Sequence, residues 1–442
     1  MGSIFPTLIV GLVATVILLI VYGLTNRSWV GYAVMPRRGA VIEPLGSETL
    51  TAELLWPAIV ERDHNRWLTV GKVRIRAVDV VRSDHAEEYY SAWIAAEPQD
   101  AQPRLLRAML LASLPIASNA LEDCLEAVRL DAQNPTSHFL LGKLEHGHGD
   151  PHAALERYDE ALRLRSHFVG AYVGRGDAWA ACREPNNAIA DYSRALDFDW
   201  RHVPAWYGRG CIHYAHGDYT AAIEDFSHVI DLDPQKVYAY HNRATARHAI
   251  GDLDHALDDI DNALSFTSRD PTLFIARAAI YQALGQPDLA INDLNQAIRL
   301  DSGEVEAFCR RGALWLATGE YGRAAEDFAD AVAIDPTFAQ ALDQRAWLLA
   351  TCPDDEFRDG HAALVLAREA CRLTEYKNVD FLDTLAATLA AVGEFGEACD
   401  WQRSVIMRIE NDESFLSGAR SRLTLYARGS ACFDVQKSFG VV

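Results

Sequence analysis

Residues 169–202 read VGAYVGRGDAWAACREPNNAIADYSRALDFDWRH, and residues 203–236 read VPAWYGRGCIHYAHGDYTAAIEDFSHVIDLDPQK. Both 34-residue stretches carry Gly-Arg-Gly near their start and alanine at the twentieth residue. Both also have aspartate at the twenty-third residue and an aromatic residue at the twenty-fourth. Self-similarity at a fixed period of this length is the sequence signature of a repeat architecture. The fold therefore depends on how copies of one short repeat stack.

The period continues along the chain and aligns opposite charges. Arginine recurs at the seventh position of six repeats and aspartate at the twenty-third position of five. The residues are Arg175, Arg209, Arg243, Arg277, Arg311 and Arg345, and Asp191, Asp225, Asp259, Asp293 and Asp327. We predict a structural ladder of guanidinium–carboxylate pairs, because a bidentate pair satisfies both groups at a partly buried helix contact. The alternative is a ligand-binding row of arginines.

The positions between the charges predict a pair of helices in each repeat. Repeats begin near residues 101, 135, 169, 203, 237, 271, 305 and 339, and a ninth begins near 379. The twentieth position is alanine in the first seven repeats, and large apolar residues follow it at helical spacing, as a close helix crossing requires. A repeat this short cannot bury its own apolar face, so we predict a mainly α solenoid with a long exposed surface.

These positions resemble the tetratricopeptide repeat, a helix-turn-helix of 34 residues with small residues at positions eight and twenty and glycine at fifteen. The resemblance covers residues 101 to about 410. It implies a right-handed α-α superhelix, a TPR solenoid of about nine repeats over residues 85–410, with a capping helix at 411–428. The stretch AWLLATCPDDEFRDG at residues 346–360 looks like the C-terminal end of bacterial tetratricopeptide proteins.

The resemblance also implies a partner-binding groove. In the family, peptide ligands lie along positions two, five, nine and twelve of the first helices. Carried over to this chain, those positions are Lys143, His146, Asp177, Tyr207, Tyr214, Tyr238, His241, Thr245, His248, Ile275 and Gln282. Tyrosine and histidine dominate the middle repeats, and exposed aromatic residues are typical of binding hot spots. The family's carboxylate clamp is not matched, since only Lys143 and Asn242 resemble its residues.

The N-terminal segment predicts a membrane anchor. Residues 4–24, IFPTLIVGLVATVILLIVYGL, contain no charged side chain, and about 20 apolar residues cross a bilayer. A cleaved signal peptide is the alternative, but the segment lacks a basic start and a small-x-small cleavage site. Arginines follow the span, so we expect a single-pass protein of the bacterial cell membrane with a cytoplasmic solenoid, the opposite orientation remaining open.

Residues 36–82 alternate apolar and polar residues, a period that predicts short strands. They loosely resemble a bacterial SH3-like barrel, so we expect a small β module there. It would either hold the solenoid away from the membrane or bind a peptide or cell-wall ligand.

Motifs of catalysis are missing from the sequence. It contains no GxxxxGK[ST], no HExxH and no GxSxG. We therefore expect no enzyme activity, no cofactor, no metal site and no small-molecule substrate. The net charge of −21 disfavours nucleic acid as a partner, because phosphates would be repelled.

The function that these features favour is that of a membrane-tethered scaffold or adaptor, which binds an extended peptide or a helix of a partner protein in the groove. The alternative is an extracytoplasmic envelope spacer that contacts cell-wall components through the SH3-like module.

Overall fold

Each repeat folds as two helices joined by a short turn. The computed structural model describes seven short strands between residues 33 and 82, and then residues 83–113, 119–409 and 412–433. In the repeats whose two helices lie within one unit, the first and second helix contact each other more extensively than either contacts any other element. The pair is therefore the local building block, and stacking of pairs extends the array.

The chain forms two compact units, Met1–Asp218 (unit 1) and Tyr219–Val442 (unit 2). The helices of unit 1 are α1 (Ser83–Ala96), α2 (Ala101–Ala112), α3 (Ala120–Leu130), α4 (Pro135–Gly147), α5 (Pro151–Leu164), α6 (Val169–Ala181), α7 (Pro185–Phe198) and α8 (Val203–Ala215). Those of unit 2 are α9 (Tyr219–Leu232), α10 (Val237–Ala249), α11 (Leu253–Phe266), α12 (Pro271–Ala283), α13 (Pro287–Leu300), α14 (Val305–Ala317), α15 (Tyr321–Ile334), α16 (Ala339–Thr351), α17 (Gly360–Leu373), α18 (Val379–Ala391), α19 (Phe395–Arg408) and α20 (Glu413–Ala427), with a 3-10 helix at Asp355–Phe357.

Large residues of second helices pack between small residues of first helices. Tyr192 of α7 lies between Gly176 of α6 and Gly208 of α8. A Cβ added to these glycines would lie 2.9 Å and 2.7 Å from the tyrosine ring. The recurring spacing of small and large residues thus reflects direct contact, since interiors packed this closely leave no room for another methyl group.

The turns inside the pairs need a left-handed residue. Glycine supplies it at Gly149 and Gly217, with φ of 85° and 77°. Where the sequence has Arg183 instead, the arginine itself adopts φ 60°. The turn geometry is therefore kept at this position, at the cost of a strained non-glycine backbone.

The arginine and aspartate of a repeat meet between its two helices. Arg175 donates from Nε and Nη2 to the two carboxylate oxygens of Asp191, both at 2.7 Å. Three pairs in unit 2 have the same bidentate geometry at 2.6–3.0 Å, namely Arg243–Asp259, Arg277–Asp293 and Arg311–Asp327. The aspartates are buried. An isolated carboxylate in such surroundings would be costly, so the guanidinium is required for the helix pair to close.

The same arginines also reach the preceding repeat. Nη1 of Arg175 donates to Asp159 on α5 at 2.6 Å, and Nη1 of Arg209 donates to Ser193 on α7 at 2.9 Å. One arginine therefore joins three helices of two neighbouring repeats.

The ladder departs from the predicted set at both ends. It begins earlier, because Arg107 contacts Asp123 at 2.6 Å and 2.7 Å. The next repeat interrupts it, since Arg157 stands where aspartate is expected. The last predicted arginine, Arg345, has His361 in place of an aspartate sixteen residues later. Extending the period backwards by two repeats is the sequence signal that would have found the first pair.

The SH3-like prediction for residues 36–82 is wrong. The described strands are β1 (Ala33–Pro36), β2 (Ile42–Pro44), β3 (Ala58–Ile59), β4 (Arg62–His64), β5 (Trp67–Val70), β6 (Val73–Arg76) and β7 (Val80–Arg82). They pair antiparallel in two small sheets of order β3-β1-β7 and β2-β6-β5-β4. Strands of two to four residues are too short to enclose a barrel core. Met35 of β1 packs instead against Tyr90 of α1 and Leu106 of α2, within the core of the helices.

The membrane-anchor prediction is also corrected. The predicted span, residues 4–24, lies outside the described residues, and no described helix is long and apolar enough to cross a bilayer. The described α-helices have 11 to 15 residues. That length spans about 16–23 Å, against about 30 Å of hydrocarbon core. A fold with a transmembrane helix, and a single-pass protein in the bacterial cell membrane, are therefore not supported.

Gly208→Ala should destabilise unit 1 by about 1–3 kcal/mol, because the added methyl group would press on the packed ring of Tyr192. Urea unfolding followed by circular dichroism measures the loss. Gly147→Ala is the matched control, because a Cβ there meets open space at the end of α4. Equal unfolding midpoints for the two variants would contradict the packing argument.

Arg311→Ala should destabilise unit 2 by about 3 kcal/mol, because it leaves the buried carboxylate of Asp327 without its guanidinium partner. Arg243→Ala should cost less, since Arg247 still donates to Asp259 at 2.7 Å. Urea unfolding of both variants at pH 7 tests this order. Burial already raises the pKa of Asp327, so the loss in Arg311→Ala should shrink as the pH falls and the stranded carboxyl becomes neutral. Equal losses for the two variants would refute a specific role for the second arginine.

Candidate functional site

The first helices of the repeats form one surface of each unit, which we call the first-helix face. Within each unit, successive first helices such as α4 with α6, α6 with α8, and α10 with α12 contact one another. Contacts between successive second helices are weaker. The predicted groove residues all belong to first helices.

In unit 1 the face is organised around Asp177 of α6. The hydroxyl of Tyr192 donates to Oδ1 of Asp177 at 2.6 Å. His146 of α4 lies close enough for its charge to act on this carboxyl group. On α8, Tyr207 hydrogen-bonds to the thiol of Cys211. Three consecutive first helices therefore place an imidazole, a carboxylate and a phenol side by side.

Tyr192 comes from a second helix and reaches the face because of the glycines around it. Gly174, Arg175 and Gly176 have separate tasks: Gly174 accommodates the ring of Tyr158, Gly176 accommodates that of Tyr192, and Arg175 makes the ladder contact. This Gly-x-Gly segment resembles part of a phosphate-binding loop in sequence, but it lies inside α6. Its glycines bring a tyrosine hydroxyl to Asp177.

The carboxyl group of Asp177 is incompletely compensated. Burial raises its pKa, and the Tyr192 hydrogen bond and His146 oppose this shift only in part. The residue as a whole is nevertheless exposed on the first-helix face. Burial and the neighbouring Asp177 in turn raise the pKa of the Tyr192 phenol. The pair is therefore a carboxylate with its hydroxyl donor, in surroundings that would favour an added positive charge.

Two other predicted residues of unit 1 are accessible. Lys143 of α4 is exposed, and Tyr214 of α8 is half-buried. Lys143 makes no ion pair with Asp177 in the described part of the chain, although it holds the equivalent position on the neighbouring first helix.

In unit 2 the face has a different character. Tyr238 of α10 is 41% exposed. Burial lowers the pKa of His241 and of His248, and Arg310 contributes to the shift of His248. These imidazoles are therefore neutral near pH 7. Thr245 is half-buried and donates its hydroxyl to the backbone oxygen of His241 at 2.9 Å.

The two remaining predicted residues of unit 2 are placed differently. Ile275 of α12 is only 6% exposed and packs with Leu294 and Leu314 in the core. Gln282, seven residues later on the same helix, is exposed. Position in the repeat placed Ile275 on the groove, but its apolar side chain is buried between helices.

A buried polar cluster near the C-terminus was not found from the sequence. Asp383 of α18 accepts from Nε2 of Gln402 at 2.7 Å and from Nε of Arg422 at 3.0 Å. The guanidinium of Arg422, on α20, also lies 5.7 Å from the ring centre of Trp347. Asp383 holds the fifth position of its repeat, and Trp347 holds the ninth position of the repeat before it. Both are groove positions in the predicted scheme, so Arg422 of α20 covers two of them. Arg422 lies beyond the last repeat, where periodicity carries no signal.

A cavity of about 620 Å³ lies among α1, α2 and α3. Arg104 and Arg107 line it together with Glu87, Glu122 and Glu126. Because its charges are of both signs and Arg107 is engaged by Asp123, the lining is that of an ion-pair network. Among the residues that the structure describes, no three metal-binding side chains lie together.

Comparison with protein families matches the helical array. Two models described as tetratricopeptide repeat match, one at residues 203–236 and the other at residues 139–202 and 275–337. No curated protein matches the chain.

Several solved structures resemble parts of the chain at low identity. The crystal structure of MamA shares 19% identity with a TM-score of 0.36, over 38% of this chain and 97% of that chain. YrrB, described as a TPR protein with an unusual peptide-binding site, shares 19% identity with a TM-score of 0.38, over 42% and 96%. A tetratricopeptide repeat protein from Parabacteroides merdae shares 22% identity with a TM-score of 0.42, over 57% and 93%.

The period, the helix pairs and the two family models agree with one another. Residues 139–236 and 275–337 of this chain are therefore tetratricopeptide repeats by both their sequence and their helix pairs.

Proposed function

We propose that the protein is a non-catalytic scaffold that binds an extended or helical segment of a partner protein on the first-helix face of unit 1. The observation that carries this proposal is the set of side chains around Asp177. They combine a carboxylate, an imidazole and half-buried tyrosines on three neighbouring helices. Amphipathic aromatic residues beside polar groups are typical of binding hot spots.

The surroundings of Asp177 support this assignment. Burial raises the pKa of its carboxyl group although the residue is exposed, so the charged form is less favourable in the folded protein than in water. A residue that weakens the fold and lies on an accessible face is a candidate for a role in binding. The ladder aspartates differ, because each is paired with an arginine inside the protein.

Unit 2 offers a second surface of its own, formed by Tyr238, His241, Thr245, His248 and Gln282. Ile275 is left out of this surface because it is buried. The envelope-spacer alternative depended on an SH3-like module, so it loses its basis with that correction.

Tyr207→Ala combined with Tyr214→Ala should reduce partner capture about tenfold or more, because hot-spot tyrosines contribute a large share of binding energy. The measurement is affinity capture from native lysate with the full chain, followed by quantitative mass spectrometry of proteins enriched by the wild type. The unfolding midpoint of the variant should stay near that of the wild type, since neither side chain is fully buried.

The control variant is Phe198→Ala with Trp200→Ala. These aromatic residues are also exposed in unit 1, at 53% and 64%, but they lie at the turn after a second helix. Capture should remain at the wild-type level. Equal losses in the two double variants, or none in either, would exclude the first-helix face of unit 1 as the binding surface.

Asp177→Asn should raise the stability of the free protein at pH 7. The amide keeps an acceptor for Tyr192 and removes the desolvated charge. Because the folded-state pKa of Asp177 is raised, the wild type loses stability as the pH rises through that pKa. The advantage of the variant should therefore be small near pH 4 and grow towards pH 7, as thermal unfolding over this pH range would measure.

Asp233→Asn is the control, because the pKa of Asp233 is shifted in the opposite direction to that of Asp177. Lys236 lowers the pKa of this exposed aspartate, so its removal should cost stability above pH 4, or leave stability unchanged. A loss of stability at pH 7 in Asp177→Asn would show that the carboxylate is needed for folding.

A further inference from the structure

The C-terminal part of unit 2 shows how a first-helix position of this chain binds a cation. Arg422 places its guanidinium against Asp383, with Nη2 2.8 Å from Oδ2 and Nε 3.0 Å from Oδ1. The ring of Trp347 lies beside the same guanidinium. A carboxylate from one first helix and an aromatic ring from another therefore hold an arginine that comes from outside the repeats.

Gln402 completes this arrangement. Its side-chain amide donates to Oδ1 of Asp383 at 2.7 Å, in addition to the arginine. The carboxylate therefore accepts from one neutral donor and one guanidinium at the same time. Carboxylate oxygens have lone pairs for both contacts.

Unit 1 has the same parts without the arginine. Oδ1 of Asp177 accepts from a neutral donor, the hydroxyl of Tyr192, as Oδ1 of Asp383 accepts from Gln402. Oδ2 of Asp177 has no hydrogen-bond partner among the described residues. Tyr207 of the adjacent first helix supplies a half-buried aromatic ring, whereas the corresponding ring in unit 2, that of Trp347, is fully buried.

We propose that Asp177 binds an arginine side chain of the partner segment, with Tyr207 as the neighbouring aromatic surface. This inference rests on the proposed function and names the chemistry of the partner. Arginine is favoured over lysine because its planar fork pairs with a carboxylate and stacks on aromatic rings. The partner segment is therefore expected to be basic.

The net charge of the whole chain also favours a basic partner segment. The net charge of −21 attracts a basic segment over distances longer than any single contact and raises its rate of association. This long-range attraction is not specific to Asp177. The decisive test must therefore separate the contact at Asp177 from the general field.

The test compares two labelled Gly-Ser peptides by fluorescence anisotropy with the full chain. One carries several arginines, and the other carries citrulline, a neutral isostere, at the same places. The wild type should prefer the arginine peptide about tenfold or more. Asp177→Asn should lose most of this preference.

Two results would overturn the proposal. One is equal binding of the arginine and citrulline peptides by the wild type, including no binding of either. The other is an equal loss of preference in Asp177→Asn and in Asp233→Asn, which removes one exposed negative charge from unit 2. A lysine peptide that binds as well as the arginine peptide would overturn the choice of arginine.

Capture of the cellular partner separates this inference from the function on which it rests. If Tyr207→Ala with Tyr214→Ala abolishes capture while Asp177→Asn leaves it intact, the binding face stands and the arginine contact is refuted. If neither variant changes capture, the proposed function itself fails.

Discussion

A buried aspartate that must be neutralised by an arginine governs the stacking of the repeats. Asp191, Asp259, Asp293 and Asp327 lie between the helices of their pairs, where a carboxylate without a partner would be costly. The guanidinium satisfies it and also reaches the preceding repeat, as Arg175 does with Asp159. In these repeats, one interaction thus closes the helix pair and orients it against the preceding repeat.

Because these arginines are engaged between helices, other side chains are left to recognise a partner. Asp177 is two residues after Arg175 on α6, yet the two have different roles. The arginine is held by Asp191, whereas the aspartate keeps one oxygen without a partner among the described residues. Under the proposed function, a single helix therefore separates cohesion from recognition.

Sequence reasoning located the helix pairs, and its errors have physical reasons. Ile275 holds a groove position, but a large apolar side chain gains more from burial than from exposure. Alternating residues at 36–82 suggested a barrel, yet period two predicts only strands, and these are too short for a core of their own. The uncharged segment at residues 4–24 lies outside the described residues, and no described helix is fit to span a membrane.

The sequence by itself determined the repeat length, the helix pairs and the spacing of opposite charges, because each is a local pattern that recurs. Only the tertiary structure decided that Tyr192 reaches Asp177 and that Arg422 reaches Asp383. Both contacts depend on where a side chain from one helix ends after the neighbouring helices have packed around it. Packing sets those distances, and a single sequence does not encode them in any periodic form.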